Sequence, residues 1–333
     1  MTRLQDTAFS MLDLIPVRDT GSEAEALADS LALARHVEAL GFHRYWLAEH
    51  HNMDGVASSA TAVLAGYIAG GTSRIRVGSG GVMLPNHAPL VVAEQFGTLA
   101  TLYPGRIDLG LGRAPGADRT TLRALRRSPL DGEDFPEEVG ELQRLLGPVQ
   151  PGQRLVAVPG ANTQVPIWLL GSSLFSAQLA AQRGLPYSFA SHFAPRLLHQ
   201  ALRVYRDNFQ PSDVLDKPYA MVGVPLYAAP TDEEAEFLAT TAYQRALALL
   251  RGHSLKLVPP VPSMASRWLP HEQEAVGNMY GLAVVGGPER VRQRLEMIVE
   301  QTGADELIFT CDMYELAHRQ RACDIVAALR EAA

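Results

Sequence analysis

The sequence predicts an α/β fold, and within that class a (β/α)8 TIM barrel, from three observations. Short apolar runs alternate with longer amphipathic stretches along the 333 residues, which is typical of parallel strands joined by helices. Eight such runs occur, the number of strands in this barrel. No evident linker divides the chain, so we predict a single domain over residues 1–333.

The eight predicted strands are short and are separated by segments long enough to hold a helix. Each is rich in the β-branched, aromatic and aliphatic residues that favour extended structure. The predicted strands are Ala8–Leu14, Arg44–Ala48, Ile75–Ser79, Arg106–Leu111, Pro166–Leu170, Tyr187–Ala190, Tyr219–Tyr227 and Glu306–Thr310.

The predicted helices carry start and stop signals. Ser22 followed by Glu25 is a capping-box pattern, and Gly41 suits the left-handed position after the last turn. Thr231 and Glu234 repeat the capping pattern before a helix that runs toward residue 250. Both helices follow a predicted strand, as a barrel requires.

Two long insertions are expected, one after strand 4 and one after strand 7. They run from about Ala114 to Pro136 and from about Gly252 to Gly286. Connections of this length usually serve as lids or stay disordered. We expect the 252–286 segment to be an ordered lid, in which Met264, Trp268 and Met279 either face an apolar pocket or pack within the segment.

Composition narrows the class of protein. The net charge of −7 opposes a broad nucleic-acid surface and fits an enzyme that acts on small molecules. No apolar run reaches the ~20 residues of a membrane span, and the first residues carry no secretory signal, so a cytoplasmic location is expected. The two cysteines, Cys311 and Cys323, are expected to be reduced structural thiols.

Glu49, His50 and His51 follow the second predicted strand directly. Residues at the carboxyl ends of barrel strands line the ligand site, and imidazole titrates near neutral pH, so either histidine is a candidate general acid or base. A structural role is the alternative. A zinc or iron site formed by Glu49, His50 and His51, with His192 as an additional candidate ligand, is a further alternative. Adjacent histidines on an extended strand point to opposite faces, however, and we predict no metal.

Other strand ends suggest a flat, phosphate-bearing ligand. Gly80 and Gly81 have no Cβ and would let a planar group lie against the backbone. Arg113, after the fourth strand, could pair with a phosphate. The fifth strand leads into a helix start, where free N–H groups attract an anion. This junction contains Gly171, Ser172, Ser173 and Ser176. Together these features are what flavin mononucleotide (FMN) would require.

Four segments of the chain are similar to those of a known family. They are Gly41-Phe42 with Trp46 to His51, Val77 to Pro85, Pro104-Gly105-Arg106-Ile107 with Gly112-Arg113, and Pro166 to Ser173. In their order and spacing the chain resembles the bacterial-luciferase-like flavin-dependent monooxygenases, in their simple, non-light-emitting subgroup.

The resemblance implies roles for individual residues. His50, beside Glu49, would be the catalytic histidine. Gly80 and Gly81 would form a cis peptide against the flavin ring. Arg113, Ser173 and Ser176 would hold the phosphate, with Gly171 and Ser172 beside them. The predicted substrate-pocket residues are Asp13, His51 and His192.

The resemblance also implies a reaction. Reduced FMN from a separate flavin reductase would react with O2 to give a flavin 4a-hydroperoxide, which would oxygenate a small organic substrate. A homodimer is expected. Three alternatives remain: a deazaflavin-dependent hydride-transfer oxidoreductase, a flavin-binding protein without turnover, and a metal-dependent barrel hydrolase.

Overall fold

A closed ring of parallel strands lies at the centre of the computed structural model, which describes residues 3–114, 118–128 and 131–331. Each strand from β1 to β6 pairs with the next; β7 pairs with both β6 and β9, and β9 pairs with β1, which closes an eight-stranded barrel. The ring strands are β1 (Ala8–Asp13), β2 (Arg44–Leu47), β3 (Arg76–Met83), β4 (Ile107–Gly112), β5 (Ile167–Gly171), β6 (Tyr187–Phe189), β7 (Ala220–Ala228) and β9 (Glu306–Thr310). All eight predicted strands are present, and the (β/α)8 barrel is confirmed.

Helices connect the strands around the outside of the ring. The described helices are α1 (Glu23–Ala39), α2 (Thr61–Gly71), α3 (Pro89–Leu102), α4 (Arg119–Ala124), α5 (Phe135–Leu146), α6 (Leu174–Arg183), α7 (Leu198–Asp207), α8 (Asp232–Arg251), α9 (Pro270–Met279), α10 (Pro288–Thr302) and α11 (Leu316–Glu331). None of these helices is both long enough and apolar enough to cross a bilayer.

The predicted helix signals work as expected. The Ser22 hydroxyl accepts a hydrogen bond from the Glu25 N–H, and the Glu25 carboxylate accepts one from the Ser22 N–H, which completes the capping box of α1. Gly41 follows that helix with φ of +74°, a conformation that glycine adopts without steric cost. Thr231 caps α8 by accepting from the Glu234 N–H.

The barrel interior has an apolar layer at mid-height. The two indole rings of Trp46 and Trp168 pack edge to face with centroids 5.1 Å apart. The same buried cluster contains Leu12, Ala48, Met221 and Ile308. These side chains fill the centre of the ring, so ligands can enter only above or below them.

The amino end of the barrel is closed by a buried charge network. Arg44 donates to Asp108 at 2.7 Å and to Glu306 at 3.0 Å, and Arg76 also pairs with Asp108. The Tyr219 hydroxyl donates to Glu306 at 2.9 Å. This network was not predicted from the sequence, although three charged residues at the starts of apolar strands are its signal.

The two predicted insertions contain more regular structure than expected. The first holds α4, a 3₁₀ turn over Asp131–Glu133 and the start of α5, while residues 115–117 and 129–130 lie outside the described part. The second holds α9, whose first residue is Pro270, and a short strand, β8 (Val284–Gly286), which pairs with the end of β7. Proline at the first helical position starts a helix well, so the prolines of this segment do not mark a bare loop.

Candidate active site

A cavity of about 520 Å³ opens at the carboxyl end of the barrel. Its floor is the upper surface of the apolar layer, and its walls come from the strand ends and the loops that follow them. Strand residues that line it include Leu12, Trp46, Gly81, Gly112, Leu170 and Ile308. The mouth of a parallel barrel is where such folds bind ligands, and this cavity is large enough for a cofactor together with a small molecule.

One side of the cavity, after β4 and β5, is suited to an anion. Ser173 directly precedes helix α6 there. Its side chain makes no capping hydrogen bond, so the first N–H groups of the helix are not capped by that residue. The Arg113 guanidinium stacks on the ring of Phe175, in the first turn of the same helix, at 4.1 Å. Ser173 and Ser176 line this side as well. A cation, a helix start and two hydroxyls therefore converge, as a phosphate requires.

Gly171 and Ser172, predicted to belong to the same side, also line the cavity. A Cβ on Gly171 would collide with the Ser176 hydroxyl, so only glycine allows this close approach. The structure thus brings together all the residues that the sequence predicts around the phosphate, and their role in binding it stays a prediction.

Gly80 and Gly81 form a second wall. The peptide bond between them is cis, the geometry that the family resemblance implies. A Cβ on Gly81 would lie 2.8 Å from the Gly110 carbonyl oxygen, and one on Gly80 would lie 2.6 Å from a methyl carbon of Leu12. Packing against backbone therefore requires glycine at position 81, and both glycines present a smooth surface to the cavity.

His50 and His192 bring two imidazoles into the cavity. Burial lowers the pKa of His50, and the nearby charge of Arg245 lowers it further. Burial lowers the pKa of His192 to about 4, with a contribution from His50. The Nδ1 atoms of both rings are buried and have no hydrogen-bond partner among the described residues. Both rings are therefore neutral near pH 7, and the Nδ1 atom of each is left without a hydrogen bond from the described protein.

Glu49 and His51 lie apart from His50. The buried Glu49 carboxylate accepts hydrogen bonds from Nε2 of His51 at 2.9 Å, from Nε2 of His87 at 2.8 Å and from the Met83 N–H. Burial opposes its charge, but the hydrogen bonds from His87 and His51 hold its pKa below the usual value. This network links the loops after β2 and β3, outside the described cavity lining.

The Glu49, His51 and His87 side chains are also close enough together to hold a metal ion. The protein's own hydrogen bonds already engage the carboxylate, so the arrangement needs no ion to be satisfied. His87 was not predicted from the sequence, because its contact with Glu49 depends on how the loop after β3 folds back.

Asp13 and His51 are placed in the substrate pocket by the sequence, but the structure places both outside the described cavity lining. Asp13 is buried in an ion pair with Arg319 at 2.8 Å and accepts a hydrogen bond from the Tyr45 hydroxyl. Its backbone lies at a strand end, as predicted, but the side chain points toward α11. Strand position alone does not determine the direction of a side chain.

Arg245 and Asp312 line the cavity and were not among the predicted site residues. Arg245 lies on α8, and its Nη1 is 3.0 Å from an Asp312 carboxylate oxygen. A charged residue beside Ala242 and Ala246 on the inner face of a helix is the signal that could have identified it.

In the 252–286 segment, Met279 and Leu255 line the cavity, whereas Met264 and Trp268 line a separate depression.

The fold and this cavity define a TIM-barrel protein with a ligand-sized cavity at the carboxyl end of its strands. The family model for luciferase-like monooxygenases matches residues 7–306. The chain therefore belongs to the luciferase-like monooxygenase family, and it is a flavin-dependent oxidoreductase.

Relatives of known sequence cover nearly the whole chain. A luciferase-like monooxygenase of Escherichia coli is 51% identical over 97% of both chains, and the Bacillus subtilis protein YvbT is 56% identical over 97% of this chain and 96% of its own. The N-acetyl-S-alkylcysteine monooxygenase of B. subtilis is 37% identical over 68% of this chain and 70% of its own.

Solved structures share the fold. Apo-MsnO8 superposes with a TM-score of 0.86 at 32% identity and 99% coverage of both chains. The oxygenating constituent of 3,6-diketocamphane monooxygenase from Pseudomonas putida, in complex with FMN, gives 0.70 at 16% identity, covering 96% of this chain and 97% of its own. An F420-dependent secondary alcohol dehydrogenase gives 0.69 at 16% identity, covering 97% and 98%.

Proposed function

We propose that this protein is an FMN-dependent monooxygenase that uses reduced FMN and O2 to oxygenate a small organic substrate. One observation carries the proposal: a single cavity joins an anion-binding side, a wall of glycine backbone and a neutral buried imidazole. The family supports the flavin class, and the choice of FMN and of oxygenation is the proposal.

The residues present fit FMN. Arg113, Ser173, Ser176 and the uncapped start of α6 would hold the phosphate, and the Gly80-Gly81 wall would face the flat ring. When bound, reduced FMN would supply the electrons that activate O2. The apolar floor would keep bulk water away from the reacting atoms.

His50 would hold or move a proton within the cavity. Its Nδ1 has no partner among the described residues, and its lowered pKa leaves it neutral and able to accept a proton near pH 7. Glu49 would act indirectly. Its carboxylate holds the loops after β2 and β3 together and so positions His50, but it does not line the cavity. Its assignment as a catalytic residue stays a prediction.

A separate flavin reductase would supply reduced FMN to this enzyme, and the active form would be a homodimer. Both statements are proposals that follow from the family resemblance. Sedimentation equilibrium of the purified protein tests the dimer. Turnover with FMN, NADH and a purified reductase, compared with turnover without the reductase, tests the partner.

A deazaflavin-dependent hydride transfer is the second candidate, because an F420 enzyme shares this fold. Anaerobic titration with reduced FMN and with reduced F420 separates the two. We expect tight binding of reduced FMN and at least about tenfold weaker binding of F420, which a difference of 1.4 kcal/mol would produce. The reverse order would favour hydride transfer.

Oxygenation is tested with a panel of small thioethers, ketones and alkanes, mixed with protein, reduced FMN and ¹⁸O2. Mass spectrometry should find one ¹⁸O atom in a product. In His50→Ala the rate should fall by ~10²–10⁴, the usual contribution of a general acid or base. His43→Ala, in an exposed residue at the amino end of the barrel, is the matched control. Flavin binding without labelled product across the panel would indicate a binding protein instead.

A further inference from the structure

Three buried nitrogen atoms without hydrogen-bond partners belong to residues that line the same cavity. They are Nδ1 of His50, Nδ1 of His192 and Nη1 of Arg245, and the statement covers the described part of the chain. Buried polar atoms are normally paired, so a group of orphaned ones indicates a polar ligand. These residues come from the loops after β2 and β6 and from α8.

Arg245 is the only full charge among these three groups, since both imidazoles are neutral near pH 7. Its side chain is 8% exposed. Nη2 donates to the Gly55 carbonyl oxygen at 3.3 Å, and Nη1 lies 3.0 Å from Asp312 without the geometry of a hydrogen bond. A guanidinium has five N–H donors, so several remain unused in a buried position beside the cavity.

The surroundings of Arg245 define what could use those donors. Leu249, Leu255 and Met279 line the adjacent wall, so a ligand here would have an apolar body. Asp312 follows β9, which lies four strands away from β4 around the ring, across the mouth from Arg113. The guanidinium of Arg245 is therefore opposite the side assigned to the cofactor phosphate.

We propose that Arg245 binds the carboxylate of the substrate, so that the substrates of this enzyme are small apolar carboxylic acids. A carboxylate offers two coplanar oxygens that match the guanidinium fork. Asp312 limits the site to one negative charge, since a dianion such as phosphate would be repelled at close range. Oxygenation of the acid rests on the proposed function, whereas its binding does not.

The effect of Arg245 on His50 supports this arrangement. The charge of Arg245 contributes to the lowered pKa of the His50 imidazole, which places the two groups within electrostatic range. A carboxylate bound to Arg245 would therefore anchor the rest of the substrate beside His50, between the anchor and the glycine wall.

Calorimetric titration of the purified protein with octanoate, octanol and octylamine tests the proposal. The three probes share one apolar body and differ in the head group. We expect octanoate to bind at least about tenfold more tightly than octanol, the gain from one charge-assisted hydrogen-bonded pair. Equal binding of octanoate and octanol, or preference for octylamine, would overturn the proposal; the latter would make Asp312 the recognition group.

Variants assign the effect to Arg245. Arg245→Met should remove the preference for octanoate over octanol, while Arg290→Met, in an exposed ion pair on α10, should retain it. Asp312→Asn should bind octanoate several-fold more tightly, because the competing carboxylate is gone. If Arg245→Met does not fold, as judged by circular dichroism, the Asp312→Asn result decides: unchanged or weaker octanoate binding contradicts the proposal.

FMN binding is measured in parallel by fluorescence quenching. We expect Arg245→Met to bind FMN as the parent does. If the parent fails to bind FMN but binds octanoate through Arg245, the proposed function is wrong and the carboxylate site stands. If the parent binds FMN but binds octanoate no more tightly than octanol, the carboxylate site is wrong and the proposed function stands.

Discussion

The two ends of the barrel treat buried charge in opposite ways. At the amino end, Arg44 pairs with Asp108 and Glu306, and Arg76 and Tyr219 complete the hydrogen bonds of the two carboxylates. At the carboxyl end, three buried nitrogen atoms on the cavity wall have no hydrogen-bond partner within the described ranges. The amino end is satisfied by the protein itself, whereas the carboxyl end contains an ion pair, Arg245 with Asp312, and buried imidazole nitrogens without a hydrogen-bond partner among the described residues.

This difference between the two ends indicates that the amino end serves the stability of the barrel and the carboxyl end serves its function. Burial alone would raise the pKa of Asp108, but the charges of Arg44 and Arg76 hold it below the usual value, so the network stays ionised. The imidazoles at the other end stay neutral because burial lowers the pKa of both His50 and His192. The paired charges at the amino end therefore belong to the structure of the barrel, whereas the neutral imidazoles at the carboxyl end are available for proton transfer.

The largest expected effect comes from breaking the amino end. Arg44→Met leaves Asp108 and Glu306 with fewer compensating charges, and breaking a buried pair in this way costs ~3–5 kcal/mol of unfolding free energy. Urea denaturation measures it. Arg74→Met, which changes an exposed residue at the same end, is the control. A loss below about 1 kcal/mol of unfolding free energy in Arg44→Met would mean that the buried network stabilises the fold no more than a surface salt bridge does.

The carboxyl end should be sensitive to acid. The pKa of His192 is about 4 in the folded protein and near 6.5 when unfolded. The unfolded chain therefore takes up the proton first, so stability is retained above pH 6.5 and lost as the pH falls toward 4, by up to about 3 kcal/mol.

His192→Gln removes this titration and should flatten the loss of unfolding free energy between those pH values. His253→Gln, in an exposed residue, should keep the parent's slope. Equal slopes for the parent and His192→Gln would show that His192 is not buried in its neutral form.

A smaller effect is expected on the phosphate side of the cavity. Arg113→Ala should weaken binding of reduced FMN by ~1.5–3 kcal/mol, the range for a lost charge-assisted hydrogen bond, with little change in stability because the side chain is exposed. Anaerobic fluorescence titration measures the dissociation constant, and Arg74→Ala is the matched control. An unchanged constant in Arg113→Ala would place the phosphate elsewhere.

The smallest effect tests a single hydrogen bond at the amino end. Tyr219→Phe removes the donor to Glu306 but leaves the Arg44 pair, so it should cost only ~1 kcal/mol of unfolding free energy. Thermal and urea unfolding measure it beside Tyr67→Phe, which changes an exposed ring. A cost as large as that of Arg44→Met would make the hydroxyl, not the ion pair, the main support of the network.

Much of the fold is predictable because its signals are local. Each of the eight strands is a short apolar run, and the capping box at Ser22 acts within four residues of chain. Strand β8 was missed because three residues carry too little periodicity to be recognised. The helix inside the 252–286 segment was hidden by its prolines, although Pro270 occupies the one helical position that favours proline.

The candidate site was predictable in part. His50, the two glycines, Arg113 and the serines follow strand ends, and all of them line the cavity. Arg245 and Asp312 lie far apart in sequence, so their approach depends on the ring closing through β7 and β9. Asp13 was predicted to line the cavity but does not, because the side chain of this strand-end residue points toward Arg319.

By itself the sequence determined the strand and helix pattern, the barrel class and the residues at the strand ends, because hydrophobic periodicity and capping act over a few neighbouring residues. Only the tertiary structure decided which of those side chains share one cavity. It separated His50 from Glu49 and His51, and it brought Arg245 beside the site. The direction of a side chain and the pairing of charges depend on long-range packing, which no local pattern encodes.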